Sequence, residues 1–322
     1  MNATTWADIG AGIAGARGTP FALESRTPVG GGCINRCYRV AGSGRAFFVK
    51  VNSAERRAMF EAEAAGLAEI AATATMRVPA PVCAGANADT AWLVLEYVEF
   101  GDATTRSMTQ LGEMLAALHR ATARKFGWAR DNTIGSTPQI NTQNSDWINF
   151  WRDCRLGYQL NLAARNAAPK TLLAKGERLA AGLDAFLGNR AVKPALLHGD
   201  LWGGNAGFDR TGMPVIFDPA VYYGDREADL AMTELFGGFS ADFYAAYRGA
   251  FALDAGYDVR KQLYNLYHVL NHFNLFGGGY AAQAETLIDR LLAEIYNRLF
   301  SECTVCNSPR SARAAASDTP PA

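Results

Sequence analysis

The sequence predicts an α+β chain of two lobes, divided near Glu99 to Asp102. Three observations lead there. Strand-like runs separated by turn residues gather ahead of that point, at 21–40, 46–51 and 91–98. Helical periodicity dominates after it, at 108–122, 156–187, 262–276 and 282–300. Among the helical runs lies Leu196 to Asp218, LLHGDLWGGNAGFDRTGMPVIFD. It reads as loop, short strand, turn, short strand, and leaves Asp200, Asn205 and Asp218 at loop ends.

Length and composition set the outer limits. The 322 residues suffice for one large domain or two lobes with a sizeable core. Apolar residues at 49% and charged residues at 19% are those of a soluble globular protein. Lys plus Arg and Asp plus Glu both number 31, and no basic run suggests a nucleic-acid partner. No apolar stretch approaches the roughly 18–20 residues of a membrane span. Met1 to Gly18 lacks the basic start and apolar core of a secretory signal, so the expected compartment is cytoplasmic. Cysteines at 33, 37, 83, 154, 303 and 306 form no dense framework and should be thiols in a reducing compartment. Cys303-Thr-Val-Cys306 has metal or redox spacing, but no second pair or nearby His completes a zinc site.

Met1 to Thr19 is rich in Ala and Gly and reads as a helix, with Trp6, Ile9 and Ile13 recurring on its core face. Phe21 to Val40 reads as strand, glycine turn, strand. The turn is Val29-Gly30-Gly31-Gly32-Cys33-Ile34-Asn35. Successive glycines let backbone N–H groups approach phosphate oxygens without a Cβ in the way, although many hairpins carry such a run. Cys33 lies among those amides and close to a lysine-bearing strand, a setting that favours the thiolate. Its oxidation is expected to block nucleotide binding or to link two chains, giving a monomer or a redox-linked dimer. The alternative is that Cys33 simply fills the turn.

Ala46-Phe47-Phe48-Val49-Lys50-Val51 is an apolar strand with one lysine, and a charge there needs a partner or a ligand. Nearly the same pattern carries the phosphate-binding lysine in V-A-I-K of protein kinases. From Ser53, a candidate N-cap, a helix runs to about Thr73. Met59, Phe60, Leu67 and Ile70 make one apolar face; Glu63 falls inside it and Glu61 points away, so Glu63 is the expected partner of Lys50.

Val78-Pro79-Ala80-Pro81 reads as a stiff connector, and Ala91 to Val98 as a strand entering an acidic stretch. In a two-lobed kinase that strand leads to the hinge, where backbone groups of Glu96 and Val98 would pair with adenine. Met108 to Thr122 is an amphipathic helix with Leu111, Met114, Leu115 and Leu118 on one face, and His119 at its end reads as a capping or core residue. Phe126 to Asn141 is polar, aromatic and turn-rich, and Trp147, Phe150 and Trp151 follow on a helix. Rings beside Asn and Gln suit a sugar-like ligand, and suit an ordinary core equally well. Leu156 to Leu187 gives one or two helices. Tyr222 to Leu230 is a loop entering a helix, with Asp225 near the N-cap and Asp229 tying the loop through hydrogen bonds. On the later helices, His268, His272 and Asn274 are expected toward an acceptor cleft. Ser301 to Ala322 is rich in Ser, Ala, Pro and Arg and is expected to be disordered. The expected division is a nucleotide-binding lobe at 1–99, a catalytic and acceptor-binding lobe at 100–300, and a tail at 301–322.

Phosphoryl transfer wants one carboxylate to orient the attacking hydroxyl and accept its proton. It also wants an amide oxygen and a second carboxylate to hold Mg²⁺ against the phosphates. Asp200, Asn205 and Asp218 supply that set. The protein-kinase loop H-R-D-x-x-x-x-N spaces Asp and Asn identically and is followed by a metal-binding Asp. Here Gly199 replaces the Arg and Asp218-Pro219 replaces D-F-G, which points away from protein kinases and toward kinase-like enzymes acting on small molecules. Asp and Asn are also common in turns, so the whole string carries the reading rather than any one residue.

The strings GGGCINRCYRV, FFVKVN, MFEAEAAGL, FGWARDNTIGSTPQIN, LLHGDLWGGN, DPAVYYGDREADLAM and LFGGF span most of residues 20–280. On them the sequence resembles the fructosamine kinase (ketosamine 3-kinase) family, relatives of aminoglycoside and choline kinases. His-Gly-Asp followed by Asn and Asp marks only the wider group; the Leu-Trp after Asp200, the TPQ-N string and the GGGCIN turn narrow it. The resemblance implies a protein-kinase-like fold, with an antiparallel sheet in a small N-terminal lobe and a larger, mainly helical C-terminal lobe. It implies ATP-dependent phosphorylation of the 3-hydroxyl of a ketosamine, a sugar joined to an amine or a protein lysine. The 3-phosphate is unstable, so the activity looks like deglycation repair.

The expected roles follow. Gly30, Gly31, Gly32, Cys33, Ile34 and Asn35 cover the phosphates of ATP, and Lys50, held by Glu63, contacts them. Glu96 and Val98 take adenine, Asn205 and Asp218 hold Mg²⁺, Asp200 takes the hydroxyl proton, and Trp202 stacks on the sugar. Two alternatives remain open at this stage. A kinase of an aminoglycoside or choline-like amine would favour an acidic cleft. A nucleotide-binding regulator without turnover would have no need of the intact Lys50, Asp200, Asn205 and Asp218 set.

Overall fold

The computed structural model describes residues 2–30 and 34–306, with 299–306 as backbone alone. Helix α1 (Ala3–Arg17) begins where the Asn2 side chain accepts the Thr5 N–H at 2.9 Å. Strands β1 (Ser25–Val29), β2 (Arg36–Gly42) and β3 (Arg45–Ser53) follow, then a 3-10 turn and helix α2 (Arg57–Ala72). β4 (Pro81–Ala86) and β5 (Thr90–Glu96) complete an antiparallel sheet in the order β1-β2-β3-β5-β4. Ser53 does precede the 3-10 turn, but its side chain makes no capping hydrogen bond.

The twofold alternation of β3 sorts the sheet into two faces. Phe47, Val49 and Val51 pack with Trp92 and Val94 against Trp6, Ile9 and Ile13 of α1. Phe48 and Lys50 belong to the other face, where Leu93 and Leu95 meet Met59, Phe60, Leu67 and Ile70 of α2. The lysine is therefore delivered beneath α2 by strand periodicity alone.

The second lobe begins with β6 (Phe100–Gly101) and α3 (Thr105–Leu118), then the hairpin of β7 (Asn132–Ile134) and β8 (Thr137–Gln139). Helices α4 (Trp147–Trp151), α5 (Gly157–Arg165), α6 (Lys170–Ala181) and α7 (Asp184–Leu187) lead to β9 (Ala195–Leu197), β10 (Ala206–Asp209), β11 (Pro214–Ile216) and β12 (Tyr222–Gly224). The chain closes with α8 (Glu227–Leu235), α9 (Ala241–Ala250), α10 (Tyr257–Phe276) and α11 (Tyr280–Cys306). β6, β10 and β11 form one small sheet, and β9 pairs with β12. α3 packs on α9, and α10 on α8 and α11. Among the described residues no helix is long and apolar enough to cross a membrane.

Four features differ from expectation. β4 forms where only a connector was foreseen, with Pro81 on an edge strand that asks no N–H of it. The turn-rich stretch after Phe126 contains the β7–β8 hairpin. A π-helical turn at Arg152–Leu156 joins α4 to α5, so one irregular helix runs from Trp147 to Arg165. α11 continues to Cys306, so the tail boundary drawn at 301 falls within a helix. Gly31, Gly32, Cys33, residues 307–322 and the side chains of Cys303 and Cys306 lie outside what the structure describes.

Candidate active site

The buried strand β9 ends on His198, whose N–H donates to Asp229 Oδ2 at 2.7 Å; the Gly199 N–H donates to Asp229 Oδ1 at 2.8 Å. Asp229 sits in the first turn of α8 and ties the loop down, as its position in the sequence suggested. His119 completes the anchor: its Nε2 lies 3.2 Å from Asp229 Oδ2, and its Nδ1 2.8 Å from the Tyr247 hydroxyl. A carboxylate can only accept, so Nε2 carries the proton and Nδ1 accepts from Tyr247. His119 is thus a core residue. Burial alone would raise the Asp229 carboxyl, but the His119 hydrogen bond and the Gly199 amide oppose it, and the carboxyl is held below the usual range.

His198 clips the two halves of the loop together. Its Nε2 is 2.9 Å from the Phe217 carbonyl, and its Nδ1 is 3.3 Å from the Asp200 N–H. Those partners require the neutral tautomer with the proton on Nε2, and burial lowers its pKa in keeping with that. Gly199 has φ +82°, and a Cβ there would fall 2.1 Å from the Ala220 carbonyl oxygen. That contact explains why no side chain occupies the place of the protein-kinase arginine.

The polar groups meet at the cleft. Lys50 Nζ lies 2.6 Å from Glu63 Oε1 and 2.5 Å from Asp218 Oδ1. Burial would depress the ammonium, yet Asp218 and Glu63 hold its pKa well above the usual value. Glu61 pairs instead with Arg57 at 2.7 Å, on the outer surface. α2 can approach so closely because Gly66 faces Val221; a Cβ there would lie 3.0 Å from a Val221 methyl. Asp218 itself has φ +59°, a conformation that an Asp holds only when its surroundings enforce it. Asn205 Nδ2 donates to the Asp200 carbonyl at 2.8 Å and to Asp200 Oδ2 at 3.2 Å. Burial pushes the Asp200 carboxyl up to about 7, with Asp218 adding to the rise and Asn205 opposing it.

A divalent cation fits this donor set. With Asn205 Nδ2 committed to Asp200, the amide oxygen remains as a ligand, and the Asp218 side chain is 44% exposed. Both are hard oxygens. Among the described residues no group of three or more His, Cys, Asp or Glu is placed to hold a metal. An ion that takes two protein oxygens and completes its shell with phosphate and water is Mg²⁺-like rather than zinc-like.

A cavity of about 200 Å³ is lined by Ile34, Asn35, Lys50, Glu63, Asp200, Trp202, Asn205 and Asp218 among others, so eight residues singled out from the sequence meet in one place. Asn52 shapes its upper edge, donating to the Ile34 carbonyl at 3.1 Å and to Asn35 Oδ1 at 2.8 Å. Gly30, Glu96 and Val98 do not line it. The Glu96 N–H already donates to the Ala80 carbonyl at 2.8 Å, and its carboxylate accepts from Arg77 at 2.9 Å. Trp202 is 39% exposed, with its ring edge-on to Phe236 at 6.2 Å.

Several lining residues were not anticipated: Cys37, Met59, Thr133, Gly135, Pro219 and Ala220. Cys37 faces Lys50 across the β2–β3 register, and burial pushes its thiol up to about 11 against the pull of Lys50. Strand pairing would have found it, had the register been known.

Two further groups singled out from the sequence are placed by the structure; of the first, Asn132 also lines the cavity. The rings Phe126, Trp128, Trp147, Phe150 and Trp151 are buried and form core rather than a sugar platform. Their amide neighbours serve the backbone behind Asp218: Asn132 donates to the Val221 carbonyl at 2.8 Å and Gln139 to the Ala220 carbonyl at 2.9 Å. Arg155 and Tyr267 hold this lattice through Asn141 and Gln139. His268, His272 and Asn274 do not line that cavity, although the His272 ring packs on Phe236, whose ring in turn meets Trp202. His268 is buried, His272 bonds back to the His268 carbonyl at 2.8 Å, and Asn274 is engaged with Gln159 at 2.7 Å.

Comparison with known proteins converges on one group. A family model described as fructosamine kinase matches residues 5–294. A Synechocystis protein designated a probable ketoamine kinase is 49% identical over 292 residues, covering 89% of this chain and 97% of its own length. The chloroplastic protein-ribulosamine 3-kinase of Arabidopsis thaliana is 45% identical, covering 82% of this chain and 81% of that one. A crystal structure described as a fructosamine-3-kinase of Haemophilus somnus 129PT matches with a TM-score of 0.82 at 28% identity, covering 89% and 97%.

Proposed function

The chain belongs to the fructosamine kinase family, and on that premise we propose that it transfers a phosphoryl group from ATP to the 3-hydroxyl of a ketosamine. The observation that carries the mechanism is the meeting of Lys50, Glu63, Asp200, Asn205 and Asp218 on one cavity. Mg²⁺, when bound by Asn205 and Asp218, would neutralise charge on the phosphates and screen the developing transition state. Lys50 exchanges its Asp218 contact for phosphate oxygens while Glu63 keeps it in line. Asp200 accepts a hydrogen bond from the sugar hydroxyl and takes its proton as transfer proceeds. The amide hydrogen bond from Asn205 fixes which face of the Asp200 carboxylate is presented. The backbone amides around Ile34 and Asn35 close over the phosphates. Positioning and fixed charge supply most of the acceleration.

Trp202 offers the exposed ring against which a sugar can stack, next to Asp200 on the same loop. The substrates for which the relatives are named, ketoamines and protein-bound ribulosamines, support a sugar–amine adduct as acceptor here. The test is an ATP-consumption assay with synthetic fructosyl-lysine and ribulosyl-lysine, alongside an aminoglycoside, choline and free lysine. ADP release is expected with the two ketosamines alone. Equal or greater turnover with the aminoglycoside or choline would overturn the acceptor assignment.

A further inference from the structure

A second cavity, of about 480 Å³, opens beside the start of β9 and shares no lining residue with the active-site cavity. Its wall carries four cations, Arg120, Arg190, Lys193 and Arg226, against two carboxylates, Asp225 and Asp254. Arg190 takes both carboxylates, pairing with Asp225 and, at 2.8 Å, with Asp254. Arg120 and Arg226 donate instead to neutral carbonyls just past α9, those of Ala250, Phe251 and Ala252. Both guanidiniums lie over the Phe251 ring, 4.8 and 3.8 Å from its centroid. Lys193 and Arg120 are exposed and Arg226 is half-buried, and among the described residues none of the three forms an ion pair. Capping the end of α9 accounts for part of the donor capacity of the two arginines and for none of Lys193.

We propose that this cavity binds a small phosphorylated organic anion of monosaccharide-phosphate size, and that its occupancy is felt at the catalytic loop. Lys193 and the two arginines, none of them in an ion pair, suit a dianionic phosphate ester, and Val192 offers an apolar patch for its body. The volume falls in the range of small-ligand pockets, roughly 300–1,000 Å³, and is far more than a bare phosphate needs. A hydrogen-bonded path leads inward. Arg226 Nη1 donates to the Tyr247 hydroxyl at 3.2 Å, Tyr247 to His119, and His119 to Asp229, which holds the N–H groups of His198 and Gly199 next to Asp200. An anion that draws Arg226 off Tyr247 loosens or resets that anchor.

The test uses the full chain with its nucleotide cleft filled by Mg²⁺ and a non-hydrolysable ATP analogue. Fructose 6-phosphate, fructose and inorganic phosphate are titrated by calorimetry, and amide hydrogen exchange is read over the peptide holding His198 to Asp200. Saturable binding of fructose 6-phosphate is expected, with none for fructose and at least tenfold weaker binding of inorganic phosphate. The double variant Arg120→Glu, Lys193→Glu should bind at least tenfold more weakly while still melting in one cooperative transition, and Lys193→Glu alone, which removes no hydrogen bond, should weaken binding at unchanged melting temperature. Exchange at His198 to Asp200 should change on binding in the parent and not in the double variant. Absence of binding, or binding indifferent to the double variant, overturns the site. Equal affinity for inorganic phosphate overturns the organic ligand, and unchanged exchange overturns the coupling. Because none of these readouts needs turnover, they stand apart from the acceptor assignment.

Discussion

In the proposed mechanism one carboxyl group, that of Asp200, carries both the proton transfer and a cost in stability. Replacing it with Asn should lower kcat by about 10²-fold or more, the range of a lost general base, while a fluorescent ATP analogue still binds. The carboxyl titrates at about 7 in the fold and near 3.8 when unfolded, so the folded state holds the proton more tightly. Activity of the unliganded enzyme, read as kcat/KM, should therefore rise with pH through about 7 as the base ionises. Stability runs the other way: ionised Asp200 costs stability in full above about pH 7 and not at all below about pH 4. Melting curves of Asp200→Asn and the parent should differ in favour of the variant at pH 8 and converge toward pH 4; a constant gap would mean the group is not raised. Trp202→Ala should raise KM for the ketosamine severalfold and leave KM for ATP alone. These residues were legible because motif spacing survives without a structure. Gly199 was visible as a departure, but its reason, the Ala220 carbonyl 2.1 Å from where a Cβ would stand, was not.

At the scale of the element, α2 and α8 do the positioning. Glu63 was separable from Glu61 because a carboxylate inside the Met59-Phe60-Leu67-Ile70 face demands a cation. Glu63→Gln should raise KM for ATP with little change in KM for the acceptor, measured by initial rates over a nucleotide series. Asp229→Ala removes the shared acceptor of two buried N–H groups, each costing about 1–3 kcal/mol when unpaired. Its melting temperature should drop by several degrees, and kcat should fall along with it; an unchanged melting temperature would remove Asp229 from the anchor. The β7–β8 hairpin and β4 were illegible for different reasons. Three-residue strands give too few alternations to register a period of two, and Pro81 argues locally against a strand that its edge position permits. The aromatic and amide residues after Phe126 were ambiguous by composition, since a buried amide lattice and a sugar site draw on the same residue types; burial resolved it.

Across the whole molecule, ion pairs tie the sheet lobe to the helical lobe. Lys50 reaches from β3 to Asp218 beyond β11, and Arg77 bridges Glu96 at the end of β5 to Asp209 of β10. The two-lobed α+β architecture was legible from the order of strand and helix signals, because local periodicity records element type. That both lobes contribute to one cleft followed from the motif roles; the direct pairing of Lys50 with Asp218, 168 residues apart, did not, because no local pattern records it. The central claim is that this cleft directs phosphate from ATP to one hydroxyl of a sugar–amine adduct, with Asp200 as base. The most direct measurement is phosphorus NMR of the fresh product from fructosyl-lysine and ATP, run in parallel with the parent and Asp200→Asn. A phosphomonoester on the sugar 3-oxygen is expected from the parent and next to none from the variant. Phosphate on another oxygen, or comparable product from both proteins, would contradict it.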